Sequence, residues 1–317
     1  MQKILIDSDT GVDDAMGILY ALADPTAEIV GITTLVGNAL VQHCTQNALR
    51  LVELMDAETP VVAGAATPLI EDPMPVPFIH GPEGHGGATL APPTRTVQAG
   101  IAASYIADQV RRHGRDLTLV AVGPLTNIAM ALKLHPDAFK HCGPLIWMGG
   151  AVERSGNDTA TGEANSLRDP EAAEIVMRSG LDVTMVPLDV TDFVCLTDLE
   201  LKALADSGTA AGRHLAEITP LYLDFYELKF NERRCAMHSA LAIAIAIDPS
   251  LVTKSYRLPI SVELHGMHTR GMTVVDRRTL RGPEETWRDT DDVPTRAVYG
   301  VDGDRFLSRF MKLLSNS

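Results

Sequence analysis

An α/β fold, an open and mostly parallel (Rossmann-like) sheet with helices on both faces, is what this sequence predicts, and three observations carry the prediction. Short aliphatic runs alternate with stretches of helical apolar spacing along most of the 317 residues, the pattern of successive βα units. Several runs close on turn residues, Gly37 and Asn38 or Gly149 and Gly150 among them, as strands do before the next helix. No repeat, low-complexity tract or linker interrupts the alternation, so residues 1–317 are expected to form a single domain. In such sheets the ligand crevice lies at the carboxyl ends of the strands.

The first strand is Ile4, Leu5 and Ile6, an aliphatic run suited to burial on both faces. Ala15, Ile18, Leu19 and Leu22 then recur at helical spacing and supply a face to pack on the sheet. EIVGITTLVGN reads as a strand ending at Gly37 and Asn38, with a helix over residues 41–54 and the short strand TPVVAG after it. Residues 64–96 are rich in Pro and Gly without periodicity. A loop of that length is either functional or a solvated excursion, and His80 and His85 within it favour function. A helix over 101–112 leads to the strand LTLVAVG, and Pro124 suits the first turn of the following helix. PLIWMGG reads as a strand, AVERSGNDTATGEANSLRDP as irregular and polar, PEAAEIVMRSG as a helix and DVTMVPLDVT as a strand. Helices dominate 197–247, and the strands SYRLPISVEL and GMTVVDRR precede a last helix over 304–314.

Composition narrows the class. With 45% hydrophobic residues the chain can build a substantial core, and a net charge of −14 disfavours a nucleic-acid partner, which needs a basic face. Cys44, Cys142, Cys195 and Cys235 are widely spaced without metal-finger or CxxC pattern, as expected of reduced thiols. The chain enters its first strand without a leader pattern, and no stretch approaches a membrane span. A cytoplasmic, soluble protein with no nucleic-acid or membrane partner is expected.

The acids of DSDTGVDD are where chemistry is expected. Asp7, Asp9, Asp13 and Asp14 fall within eight residues, at the end of the first strand and the start of its helix. Two carboxylates about 4 Å apart repel by about 4 kcal/mol at an effective dielectric of about 20. Several converging on one crevice need a cation or must take up protons. The candidate ligands are all oxygens, so the cation is a hard one, Ca²⁺ or Mg²⁺ rather than zinc. The plainer alternative, acids decorating a helix N-terminus, accounts for Asp13 or Asp14 but leaves Asp7 and Asp9 unexplained. An EF-hand is excluded, because the twelfth position counted from Asp7 is Ile18 rather than Glu. A haloacid-dehalogenase-like phosphatase matches Asp7 and Asp9, but Gly11 stands where its Thr belongs.

The chain resembles the inosine–uridine-preferring nucleoside hydrolase family. Its Asp-x-Asp-x-Gly-x-Asp-Asp-Ala fingerprint is met by Asp7, Asp9, Gly11, Asp13, Asp14 and Ala15. TTLVGN, FIHGPEG, AVGPLTNIA, IWMGG, GEANSLRDPEAAEIV, PLDVT, CAMHSALA and GMTVVD follow in the family's order. The resemblance implies Ca²⁺-dependent cleavage of a ribonucleoside to ribose and free base. The ion would be held by Asp9, Asp14, the Val122 carbonyl and the position of Ser239, with Asp9 as general base. Asp13, Asn38 and Asn165 would hold the ribose diol, Asn157 and Glu163 the 5′-hydroxyl, and Met148 the floor under the sugar. His80 belongs to the substrate site, and His238 would help protonate the departing base. Tyr222 and Tyr226, one turn apart, would stack on the base or support that proton path. A homodimer or homotetramer is implied by the resemblance alone.

Each of these positions also has a plainer reading. Asn157 and Asn165 would make turns, Glu163 would be a solvated acid, Met148, Tyr222 and Tyr226 would fill core, and His80 and His238 would be satisfied locally. One departure bears on activity: most family members carry Asp after the histidine, whereas His238 is followed by Ser239. A hydroxyl is a weaker ligand and the site loses a negative charge. That keeps a catalytically weak ribose- or nucleoside-binding homologue as the alternative, with the phosphatase behind it.

Overall fold

The computed structural model describes residues 1–278 and 294–316. Along the chain the strands are β1 Gln2–Ser8, β2 Ala27–Thr34, β3 Val61–Ala63, β4 Leu117–Ala121, β5 Leu145–Met148 and β6 Val183–Val186. Then follow β7 Cys195–Thr197, β8 Arg234–Ala236, β9 Val252–Val262, β10 Thr273–Val275 and β11 Pro294–Val301. Nine of these make one sheet in the order β10-β9-β11-β6-β5-β4-β1-β2-β3, while β7 and β8 pair antiparallel by themselves. From β3 to β11 the large sheet is parallel across that order, and it turns antiparallel where β9 meets β11 and β10.

The chain leaves β1 toward β2 and β3, then returns to β4 on β1's other side and continues outward to β5 and β6. Strand order therefore reverses between β1 and β4, and a crevice opens there at the carboxyl ends. Ile4, Leu5 and Ile6 are fully buried because β1 has strands on both edges and helices on both faces. Ile4 and Ile6 join the apolar layer that includes Tyr20, Phe306 and Phe310, and Leu5 joins the opposite layer with Leu119 and Trp147. That split is the period-2 alternation of a strand. Helix Val12–Ala23 lies against helix His238–Ile247, whose sequence HSALAIAIAI is apolar all round and buried from its first residue to Ala246. Contact is close at Gly17, where an added Cβ would sit 2.6 Å from the Ile243 Cδ1.

Several sequence expectations need correction. β2 stops at Thr34, and Leu35 to Asn38 turn away to wrap the acids, the Asn38 amide bonding Asp9 instead of a neighbouring strand. The run DVTMVPLDVT is a strand only over Val183–Val186; Pro187 ends the ladder and Leu188–Thr191 forms one helical turn. The loop of 64–96 contains a helical turn, Pro77–His80. The stretch 197–247 is helical at Asp198–Asp206, Ala210–Ile218, Pro220–Phe230 and His238–Ile247, with β8 inserted before the last. β11 is an addition that periodicity did not reveal. Among the described residues, no helix is long and apolar enough to cross a membrane.

Candidate active site

The acid cluster forms as strand β1 ends and helix Val12–Ala23 begins. Asp7 serves the scaffold: its Oδ1 accepts from Thr33 Oγ1 at 2.6 Å and Asn127 Nδ2 at 2.8 Å, and burial pushes its carboxyl up to about 7. Asp9 is fully buried, with Oδ2 accepting from the Asn38 N–H at 2.7 Å and Oδ1 without a hydrogen-bond partner. Burial raises its pKa to about 6 against the opposing pull of Arg168. Two glycines make room for this side chain, because a Cβ would lie 2.0 Å from its Oδ2 at Gly37 and 3.0 Å from its Oδ1 at Gly123. Asp14 accepts from Ser8 Oγ, the Gly11 N–H and Asn38 Nδ2 at 2.8–3.1 Å, and burial with repulsion from Asp9 and Asp13 drives its pKa well up. Asn38 thus donates to both carboxylates that are candidates for the metal, one bond each.

An open cavity of about 220 Å³ lies beside them. Of the residues proposed for substrate, Asp13, Asn38, His80, Met148, Asn157, Glu163, Asn165, Tyr222 and Tyr226 all line it, as do Val122, His238 and Ser239. Asp9 and Asp14 lie behind the wall. Asp13 Oδ2 accepts from the Ser239 N–H at 3.1 Å, which joins the two packed helices at their N-terminal ends. Asn165 Nδ2 donates to the carbonyls of Val122 (3.1 Å) and Met148 (3.0 Å), tying the ends of β4 and β5 together. Glu163 caps helix Ala164–Arg168, its carboxylate accepting from the N–H groups of Gly150, Asn165 and Ser166, and burial raises it to about 7. Asn157 Oδ1 accepts from the Ala164 N–H at 2.9 Å. Glu163 and Asn157 therefore already carry backbone bonds that shape the wall.

His80 and His238 mark separate parts of the rim. His80 Nδ1 accepts from the Val12 N–H at 3.1 Å, and burial lowers its pKa to about 4, so its ring is neutral. His238 is held at both ring nitrogens, Nδ1 by Thr191 Oγ1 at 2.7 Å and Nε2 by Tyr226 Oη at 2.6 Å. Burial lowers its pKa despite Asp192, whose Oδ1 is 4.0 Å from Nε2. Tyr222 donates to the Ala236 carbonyl at 3.2 Å and stands 5.2 Å, centroid to centroid, from His80. Burial keeps both tyrosines protonated, hence donors.

Thr191, Asp192, Arg168 and Asp158 were missed from sequence. PLDVT carried a signal, since it stood among the family fragments, but reading it as strand hid the turn that aims Thr191 and Asp192 at His238. Arg168 stands inside GEANSLRDPEAAEIV, another of those fragments, but a lone arginine in a polar stretch reads as solvated; its side chain is in fact 3% exposed.

The family model for inosine-uridine preferring nucleoside hydrolases matches residues 4–308. The chain belongs to that family. The nucleoside hydrolase from Leishmania major described as inosine-uridine preferring is 37% identical over 283 residues, 88% of this chain and 89% of that one. A probable uridine nucleosidase of Oryza sativa is 35% identical over 315 residues, covering 98% and 96%. The solved purine-preferring ribonucleoside hydrolase from Gardnerella vaginalis superposes with a TM-score of 0.90 at 38% identity, covering 99% and 98% of the two chains. The chain is thus an N-ribosyl hydrolase on a nucleoside hydrolase fold, and the phosphatase alternative is set aside. These relatives' names span different bases, so kinship alone does not assign one here.

The donors present fit a hard cation. Asp9 supplies a buried oxygen with no donor, Asp14 shares Asn38 with it, and Val122 and Ser239 line the adjoining cavity, so the candidate ligands are all oxygens. Among the described residues, no three His, Cys, Asp or Glu side chains gather in metal-binding geometry. With serine at 239 the set has only two carboxylates.

Proposed function

We propose that this nucleoside hydrolase cleaves the N-glycosidic bond of a ribonucleoside with the help of one Ca²⁺, held by Asp9, Asp14, the Val122 carbonyl and Ser239. The observation that carries the reading is the Asp9 Oδ1, a buried carboxylate oxygen without a donor, held by Asn38 behind the cavity. Bound there, the cation would supply charge for the sugar hydroxyls and acidify a water. The remaining steps belong to the chain. Asp9 accepts the proton of the attacking water at Oδ1. Asp13, Asn38 and Asn165 bind the ribose diol, since carboxylates accept from hydroxyls and amides do both. The negative charge of the carboxylates favours a sugar that turns cationic as the bond to the base breaks. Tyr226 and the neutral His238, 2.6 Å apart, hold a proton for the leaving base. Met148 floors the sugar and His80 keeps the rim closed.

The test is a panel of purine and pyrimidine ribonucleosides and their 2′-deoxy analogues, with Ca²⁺ or a chelator, following free base and reducing sugar. Cation-dependent release from ribonucleosides with poor 2′-deoxy turnover is expected. Equal turnover of uridine and 2′-deoxyuridine would overturn the diol assignment. Tight binding without turnover would favour the second reading, a catalytically weak binding homologue, to which Ser239 points. Assembly as a homodimer or homotetramer is part of the proposal, checked by sedimentation.

A further inference from the structure

Arg168 stands out because a permanent cation lines the cavity with its side chain only 3% exposed. Its Nε reaches the Met74 carbonyl at 3.4 Å, its Nη2 the Asp158 carboxylate at 3.2 Å, and its Nη1 is buried without a partner. A guanidinium presents five donors in a planar fork that suits two oxygens of one anion. Among the described residues its one ion-pair partner, Asp158, comes from a polar loop and stays 32% exposed, so water screens it. The guanidinium is also close enough to act electrostatically on Asp9, His80 and Glu163. The other cation on the cavity, Lys229, is already committed to Asp192 at 3.4 Å and to the rings of Tyr226 and Phe230.

We propose that Arg168 is a substrate-selecting anion site, through which the cavity prefers a ribonucleoside carrying an ionised carboxylate or phosphate, with Asp158 as the exchangeable carboxylate that holds its place. The inference rests on the hydrolase reading and adds to it the charge of the substrate. A substrate anion takes over the fork from Asp158 and gives Nη1 a partner, while Asp158 moves into solvent, where a carboxylate is at home. Neutral nucleosides leave the guanidinium as it is and gain nothing from it.

Uridine is compared with orotidine, which bears a carboxylate on the base, and with uridine 5′-monophosphate, which bears phosphate on the sugar. The readout is the ratio of kcat/KM for acidic over neutral nucleoside, which a general loss of folded enzyme does not change. The wild type should favour one acidic probe, and which one locates the anion on base or sugar. Arg168→Gln should lower that ratio roughly tenfold or more, and Arg168→Lys should lower it too, because the fork is lost. Asp158→Asn, which frees the guanidinium, should raise it. A wild type that prefers uridine to both acids overturns the inference. So does a ratio unchanged in Arg168→Gln while both rates fall, which would make Arg168 a tie between two loops. If no nucleoside at all is cleaved, the hydrolase reading fails separately. Calorimetric binding of either acidic probe, lost in Arg168→Gln, would then still uphold the anion site.

Discussion

Ser239 presents its backbone N–H to Asp13 and lines the cavity, at the position proposed for the fourth ligand. Replacing it by Asp restores a charged oxygen, so Ser239→Asp should bind Ca²⁺ about tenfold tighter or better, measured by calorimetry. Without the cation the same change sets another carboxylate beside Asp13, so the melting temperature in chelator should fall. Unchanged affinity would show that the side chain does not face the ion. Asn165 poses a different question, because its amide is spent on two backbone carbonyls. Asn165→Ala leaves both without that donor, and roughly 1–3 kcal/mol of stability should be lost together with sugar affinity. Denaturant titration checks the first and KM the second. A variant as stable as wild type would refute the tie between β4 and β5.

Helix contacts carry the argument one level up. Gly17 lets helix Val12–Ala23 lie against Ala240 and Ile243. Alanine in a helix interior ordinarily stabilises by about 1 kcal/mol relative to glycine, but here the added methyl meets packed backbone, and overpacking costs about 1–3 kcal/mol. Gly17→Ala should therefore lower the melting temperature and, by spreading the helices, weaken the Asp13–Ser239 bond and raise KM. A variant more stable than wild type would contradict the packing. The same scale shows what could be read in advance. β1, its helix and the acids were legible because strand, turn and acids lie within some twenty residues and share one local pattern. β7, β8 and β11 were not: two are three residues long, and β11 owes its place to pairing with β9 and β6, which no local period records. The pairings of Arg168 with Asp158 and of His238 with Thr191 are tertiary, and no local pattern records them.

Over the whole molecule, two sets of buried groups pull stability in opposite directions with pH. His80, His85 and His214 are held neutral, with burial as the main cause and pKa values of about 4, about 3 and about 4. Unfolded histidine binds its proton at about 6.5, so their contribution is present above that pH and is lost as pH falls toward 3–4. Asp7, Asp9 and Glu163 are raised to about 7, about 6 and about 7. Their contribution is present below about 4 and is lost as pH rises through 6–7. In chelator, the melting temperature should thus peak in the mildly acidic range and decline toward pH 8. Added Ca²⁺ should remove the part of the alkaline decline due to Asp9, so that its stabilising effect grows from pH 5 to 8. A Ca²⁺ increment that does not change with pH would argue against Asp9 as a ligand.

The bond from Asp13 to the Ser239 N–H joins positions 226 apart in the chain. The acids are the first chemically active groups to be synthesised, and the donor that engages one of them comes only after three quarters of the polypeptide. No amino-terminal fragment that stops short of Ser239, however well its first strands pair, can carry a finished site. Catalytic output from this protein is therefore a signal that distant parts of the chain have met, and turnover regained on refolding would time the docking of helix His238–Ile247 rather than the first sheet forming.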